Sequence, residues 1–100
     1  VARGQIKGAE VEGPLSLDVA LDVEAAQIKG MTDGVAGNAD CLLFPNIESG
    51  NVFYKCCTKF NKAEVGAILV GAKVPCVLSS RGDSAKTKLY SIAVAAAFSK

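Results

Sequence analysis

The 100-residue sequence predicts an α/β fold, a mixed, mostly parallel sheet with flanking helices. Three observations predict it. Two short apolar runs, Asp40–Phe44 and Val65–Val70, look like strands covered on both faces. Two longer stretches, Ile47–Phe60 and Ser84–Phe98, repeat apolar residues at the helical period. Strand, helix and strand then follow in the order of a right-handed parallel unit. A chain of this length, half of it hydrophobic, supports a single core and one domain at most.

Each element has its own signals. Val1-Ala2-Arg3-Gly4 opens the chain without Met, and Ile6 and Gly8 read as the tail of an earlier helix in a trimmed or processed piece. Gly8–Glu12 is a strand candidate stopped by Gly13-Pro14. Leu15–Leu21 suggests a short helix with Leu17, Ala20 and Leu21 on one face. Asp22 is placed to cap a further turn through Ala25, Ala26 and Ile28, which Gly30 closes. Met31–Asn38 holds Asp33-Gly34 and Gly37-Asn38 and reads as a mobile loop.

Beyond the Asp40–Phe44 run, Pro45-Asn46 ends the strand and the next helix carries a stripe of Val52, Phe53, Cys56, Cys57 and Phe60. Gly71–Val74 is too short for a helical crossover. The strand at Pro75–Leu78 is therefore antiparallel to its predecessor or displaced within the sheet. The last helix presents Leu89, Ile92, Ala93 and Ala96 on one face, with a smooth Val94–Ala97 surface suited to close packing.

Composition excludes several chemistries. A net charge of +1 gives no global pull toward nucleic acid or acidic membranes. No apolar run approaches the roughly 20 residues of a membrane span, and no leader pattern opens the chain. Without histidine the chain holds no Ser-His-Asp or Cys-His catalysis and lacks the usual nitrogen ligands of zinc, so no metal is expected. Cys41, Cys56, Cys57 and Cys76 form no C-x-x-C pattern and are expected as buried, reduced thiols, in keeping with the cytoplasm. An exposed, reactive thiol at Cys56 or Cys57 is the alternative. No Gly-x-x-x-x-Gly-Lys-Ser/Thr loop and no Gly-x-Gly-x-x-Gly is present.

Three constellations carry chemistry. Ser79-Ser80-Arg81-Gly82-Asp83-Ser84 joins a strand end to a helix start, where free N–H groups meet an anion. Arg81 adds a fork suited to phosphate, Ser80 a hydroxyl, and Gly82 close backbone approach or a positive φ. The alternative is a helix cap at Asp83 or Ser84 with an exposed arginine. A second polar corner runs from Asn46 through Gly50 and Asn51 to Lys55. It either faces the same crevice or is a cap with a solvated lysine. Asp18 and Asp22, four residues apart, are an acid-base pair or a cap and a surface charge.

Taken together, Gly13-Pro14-Leu15-Ser16-Leu17-Asp18-Val19-Ala20, Ala39-Asp40 into Phe44-Pro45-Asn46, Glu48-x-Gly50-Asn51, Tyr54-Lys55, Gly71-x-Lys73-x-Pro75 and Ser80-Arg81-Gly82 resemble the phosphate acetyl/butyryltransferase family. The resemblance covers nearly the whole chain, in order and at family spacing. It implies the carboxyl-terminal portion of a longer subunit with two α/β domains, similar to isocitrate and isopropylmalate dehydrogenases. Residues 1–83 would form most of one lobe. Residues 84–100 would be a terminal helix packing back on the missing amino-terminal lobe.

The implied reaction is acyl-CoA plus phosphate giving acyl phosphate plus CoA, with coenzyme A as substrate and no further cofactor. By resemblance Ser80 and Arg81 are the active-site serine and arginine; Asp83, from its position beside Arg81, is either the base or only the cap of the last helix. Asn46, Gly50, Asn51, Lys55, Gly82, Ser84 and Thr87 would contact phosphate or CoA. Thr87 stands where the acetyltransferase branch has its aspartate base, and Asp83 where that branch has a cysteine. Both departures resemble the butyryltransferase branch. Acetyl transfer, a related dehydrogenase and a non-catalytic CoA- or phosphate-binding domain are the competing readings. The expected partners are acyl-CoA, phosphate, the rest of the polypeptide and further subunits of a homo-oligomer; nucleic acid and membrane are not expected.

Overall fold

Four helices carry the regular structure: α1 (Leu17–Leu21), α2 (Val23–Ile28), α3 (Ile47–Lys59) and α4 (Ala85–Phe98). The structure, a computed structural model, describes residues 1–99. The chain divides into two compact units, Val1–Leu43 and Phe44–Lys100, where length alone led us to expect one core. The division falls at residue 43, and α4 belongs to the second unit.

In the first unit, Asp22 links two short helices. Its carboxylate accepts the Glu24 N–H at 2.9 Å, which makes it the N-cap of α2 as expected. Gly30, at φ 72°, follows the last turn of α2. The core is small: Val19, Ala26 and Ala36, with Leu15 and Met31 packed against it. Val19 is 1% exposed, whereas Leu17 and Leu21, expected on the buried face, remain about half exposed. Residues 1–8 form turns rather than a helix tail, and Gly8–Glu12 forms no strand.

The segment 31–38, read from its glycines as a mobile loop, is anchored through two of its backbone N–H groups. The Gly37 N–H donates to the Val19 carbonyl at 2.7 Å, and the Val35 N–H donates to Glu12 Oε2 at 2.8 Å. Gly37 is required here. It sits at φ 79°, and a Cβ on it would lie 2.8 Å from Val23 Cα. Asp18 is tied to Lys29 at 2.7 Å on the surface. Lys29 first, then the Ser16 hydroxyl and the Val19 amide, hold its carboxyl well below the usual range. Asp18 and Asp22 thus serve as surface pair and cap.

In the second unit, helix starts again coincide with capping side chains. Asn46 Oδ1 accepts the Ser49 N–H at 2.9 Å for α3, and Ser84 Oγ accepts the Thr87 N–H at 3.1 Å for α4. Phe44 and Phe53 pack with ring centroids 5.1 Å apart. The segment Glu64–Ala67 lies close along α4. A Cβ on Gly66 would come within 3.1 Å of the Tyr90 carbonyl oxygen and of Val94. Ser91, 2% exposed, fastens this contact: its hydroxyl donates to the Thr87 carbonyl at 2.8 Å and accepts the Ala67 N–H at 3.0 Å.

The expected sheet is not built among the described residues. Its trace is one antiparallel bridge, Leu69 to Cys76, with an N–H···O distance of 2.9 Å. That matches the antiparallel option for Pro75–Leu78. Asp40–Phe44 and Val65–Val70 are not strands, and Leu43 is 95% exposed instead of covered. The reason is physical: apolar runs make a strand only where a neighbour completes the hydrogen-bond ladder, and none of the described residues does so here.

The same lack of neighbours opens the helical stripes. On α3, Val52 and Phe60 face outward while Phe53, Cys56 and Cys57 are half-buried. On α4 the whole expected face, Leu89, Ile92, Ala93 and Ala96, is exposed, and Tyr90, Ser91, Val94 and Ala95 face inward. The thiols differ from expectation too: Cys41 is exposed, the other three are partly buried, and all four are free. Among the described residues no helix is long and apolar enough to cross a membrane.

Candidate functional site

The corner before α4 is a tight turn. Its Asp83 N–H donates to the Ser80 carbonyl at 3.1 Å, and the Ser80 N–H donates to Asp83 Oδ2 at 2.8 Å. The Asp side chain thus closes the turn on its own backbone, as aspartate does in loops. Gly82 has a negative φ and open space around it, so the positive-φ reason expected for this glycine does not apply.

α3 reaches this turn with two consecutive side chains. The Tyr54 hydroxyl donates to the other Asp83 oxygen, Oδ1, at 2.7 Å. Lys55 Nζ donates to Ser80 Oγ at 3.4 Å, a long contact, and also lies 4.9 Å from the Tyr54 ring centre. Sequence therefore placed Lys55 and the Ser80 corner together correctly. It named Tyr54 beside Lys55 but gave it no role, because its partner is 29 residues away and leaves no mark in local spacing.

These contacts sort the chemistry. Ser80 Oγ accepts from Lys55 and from the Gly82 N–H, both at 3.4 Å. Its own proton is uncommitted and can be donated to an oxyanion or a thiolate. Asp83 is the opposite case, because both of its oxygens already accept hydrogen bonds. The Tyr54 hydroxyl chiefly holds its carboxyl below the ordinary range; burial pulls the other way, and the Ser80 amide and the fields of Lys55 and Lys88 add to the lowering. A carboxylate so occupied holds a turn better than it accepts a proton. The hydrogen bond to Asp83, then burial and the carboxylate charge, push the Tyr54 phenol up.

The remaining expected residues divide between the turn and α3. Ser84, not Asp83, is the cap of α4, and its hydroxyl also donates to Thr87 Oγ1 at 3.1 Å. Gly82, Ser84, Thr87 and Lys55 line a cleft of about 440 Å³ together with Lys59 and Lys86. Lys86 is paired with Glu64 at its rim. Asn51 lines a separate shallow groove along α3 that shares Lys55. Asn46 is spent as a cap. Gly50 faces Phe44 at ordinary contact distance, 3.5 Å from an added Cβ. Arg81 is exposed, with no ion pair among the described residues.

Comparison with known proteins gives this corner its context. The family model described as phosphate acetyl/butaryl transferase matches residues 1–96. The chain is 58% identical to the phosphate butyryltransferase of Clostridium acetobutylicum over 94 residues, which is 94% of the chain and 31% of that protein. It is 50% identical to the phosphate acetyltransferase of Thermotoga maritima over 96 residues, 96% of the chain and 33% of that protein. A crystal structure of a branched-chain phosphotransacylase from Enterococcus faecalis V583 superposes with a TM-score of 0.82 at 44% identity, covering 95% of this chain and 36% of that one. The chain thus spans about a third of the length of these relatives, and it matches their carboxyl-terminal portion. With a match across nearly all of its residues, the chain belongs to the phosphate acetyl/butyryltransferase family.

Proposed function

We propose that the chain is the carboxyl-terminal part of a phosphate acyltransferase, which interconverts acyl-CoA and phosphate with acyl phosphate and CoA. The observation that carries this reading is the Ser80–Asp83 turn. It presents a hydroxyl with an unspent proton beside an exposed guanidinium, on a chain more than half identical to a phosphate butyryltransferase. In the forward direction a phosphate oxygen attacks the thioester carbonyl carbon. The new C–O bond forms, the C–S bond breaks, and the sulfur leaves with the proton released by hydrogen phosphate.

Arg81 holds the phosphate, and Ser80 donates its proton in a hydrogen bond to the sulfur or the carbonyl oxygen as negative charge develops. Lys55 adds positive charge beside Ser80. Gly82, Ser84 and Thr87 offer amides and hydroxyls to phosphate or CoA, and Asn46 and Gly50 begin the helix that carries Asn51 and Lys55. Asp83 serves by shaping the turn. The enzyme needs CoA as substrate and no other cofactor.

The apolar runs at 40–44 and 65–70 and the open faces of α3 and α4 favour a wider assembly. In it, strands from the rest of the polypeptide complete a mixed, mostly parallel sheet in a two-domain, dehydrogenase-like subunit, and α4 packs back on the amino-terminal lobe. The enzyme works in the cytoplasm as a homo-oligomer, and the 100-residue chain alone shows no turnover. Butyryl transfer is favoured over acetyl transfer by Asp83 and Thr87 and by the higher identity to the butyryltransferase.

Phosphate-driven thiol release tests this in the polypeptide that carries the chain. Butyryl-CoA should react faster than acetyl-CoA. Faster reaction with acetyl-CoA reverses the branch in favour of the acetyltransferase relatives, and no release from any acyl-CoA overturns the reading.

A further inference from the structure

Tyr54 is the one side chain at this corner whose chemistry the proposed reaction leaves unused. It is a half-buried phenol on α3, and its hydroxyl meets Asp83 Oδ1 at 2.7 Å, a short contact of the charge-assisted kind. The second Asp83 oxygen takes the Ser80 N–H at 2.8 Å, and the Asp83 N–H returns to the Ser80 carbonyl. Helix, phenol, carboxylate and turn backbone are thereby joined in series. The residues at stake inside the turn are Ser80 and Arg81.

We propose that Tyr54 is a positioning residue, which acts through Asp83 to hold the Ser80–Asp83 turn in the one conformation that presents the Ser80 hydroxyl and the Arg81 guanidinium together. The inference rests on the acyltransferase reading and deepens it. Alignment within fractions of an ångström governs such transfers, and a loosened turn misaligns both groups at once. The charged groups facing Asp83 are Lys55 from α3 and Lys88 from α4. Both favour the ionised carboxylate that the strut requires. Neither replaces the phenol, since Lys55 is directed to Ser80 Oγ.

Two variants test the strut in the polypeptide that carries the chain. Tyr54→Phe removes one hydroxyl and keeps the ring. Asp83→Asn can still accept from Tyr54 but presents an amide N–H₂ toward the Ser80 N–H. Each should lower kcat/KM roughly tenfold, with the phosphate KM raised more than the acyl-CoA KM. The double variant should lose little more than either single one. Tyr54→Phe should also move the acidic limb of the pH profile upward, because Asp83 loses the group that keeps it ionised.

Unchanged turnover, phosphate KM and pH limb in Tyr54→Phe, with at most a lower Tm, overturn the proposal. So do losses that simply multiply in the double variant. A separate readout distinguishes failure of the strut from failure of the acyltransferase reading. The phenolate absorbance that vanishes in Tyr54→Phe should titrate at lower pH in Asp83→Asn than in the parent. If the parent shows no acyl transfer, the function fails, and an unmoved phenolate titration then overturns the strut as well.

Discussion

Residues 1–43 and residues 44–99 are held together by different forces. The first unit has the shorter helices, yet it contains every buried apolar side chain among the described residues: Val19, Ala20, Ala26 and Ala36. The second has the longer helices, but its one fully buried side chain is polar, Ser91, and its fixed points are hydrogen bonds. Short helices are marginal on their own, so the first unit depends on close packing around Gly37 and Val19. Longer helices tolerate open apolar faces and can be pinned by a few polar contacts. The lesson is that the candidate site sits where polar geometry, rather than apolar packing, sets the structure.

That contrast can be broken most forcefully at Gly37. Gly37→Ala adds a Cβ at φ 79° that meets the Val23 backbone at 2.8 Å. It should cost about 2–4 kcal/mol and abolish hydrogen-exchange protection at Val19 and Ala26, while protection in α3 and α4 persists. Ser91→Ala is the reverse experiment. It leaves the Ala67 N–H without its partner and should cost about 1–2 kcal/mol, read as lost protection at Ala67 with the first unit unaffected.

Smaller still are the caps. Asn46→Ala and Ser84→Ala should each cost about 1 kcal/mol, visible as fraying of the first turns of α3 and α4 in the same exchange experiment. The pH response is gentlest and falls on the second unit. Asp83 has its folded pKa lowered from an ordinary 3.8, chiefly by Tyr54. Its contribution is therefore complete above that value and is lost as pH falls through the lowered one. The protection factor of the Ser80 amide should drop over that acidic window and lose this dependence in Asp83→Asn.

The helices were legible because their signals are local. Asp22, Asn46 and Ser84 precede apolar periodicity by one residue, and Gly30 closes α2. The strands were not, because a run such as Asp40–Phe44 states only that a partner is wanted. Whether the described residues contain that partner is long-range information. The faces of α3 and α4 share this ambiguity: periodicity found Leu89 and Ile92 but could not say that they stay exposed.

The site was half legible for the same reason. Ser80, Arg81 and Lys55 stand in a recognisable order along the chain, and the structure brings Lys55 to Ser80. The division of labour at Asp83 and Ser84 was open, since either residue type can cap. It was decided by Tyr54, which occupies Asp83 from another element. At Gly82 the positive φ that a turn glycine often marks is not used.

Central to the account is that Arg81 meets the phosphate at this corner. Phosphate saturation of acyl transfer, measured for Arg81→Gln in the polypeptide that carries the chain, tests this most directly. The phosphate KM should rise at least tenfold, as befits a lost charged hydrogen bond, with the acyl-CoA KM nearly unchanged. A phosphate KM equal to that of the parent would contradict it.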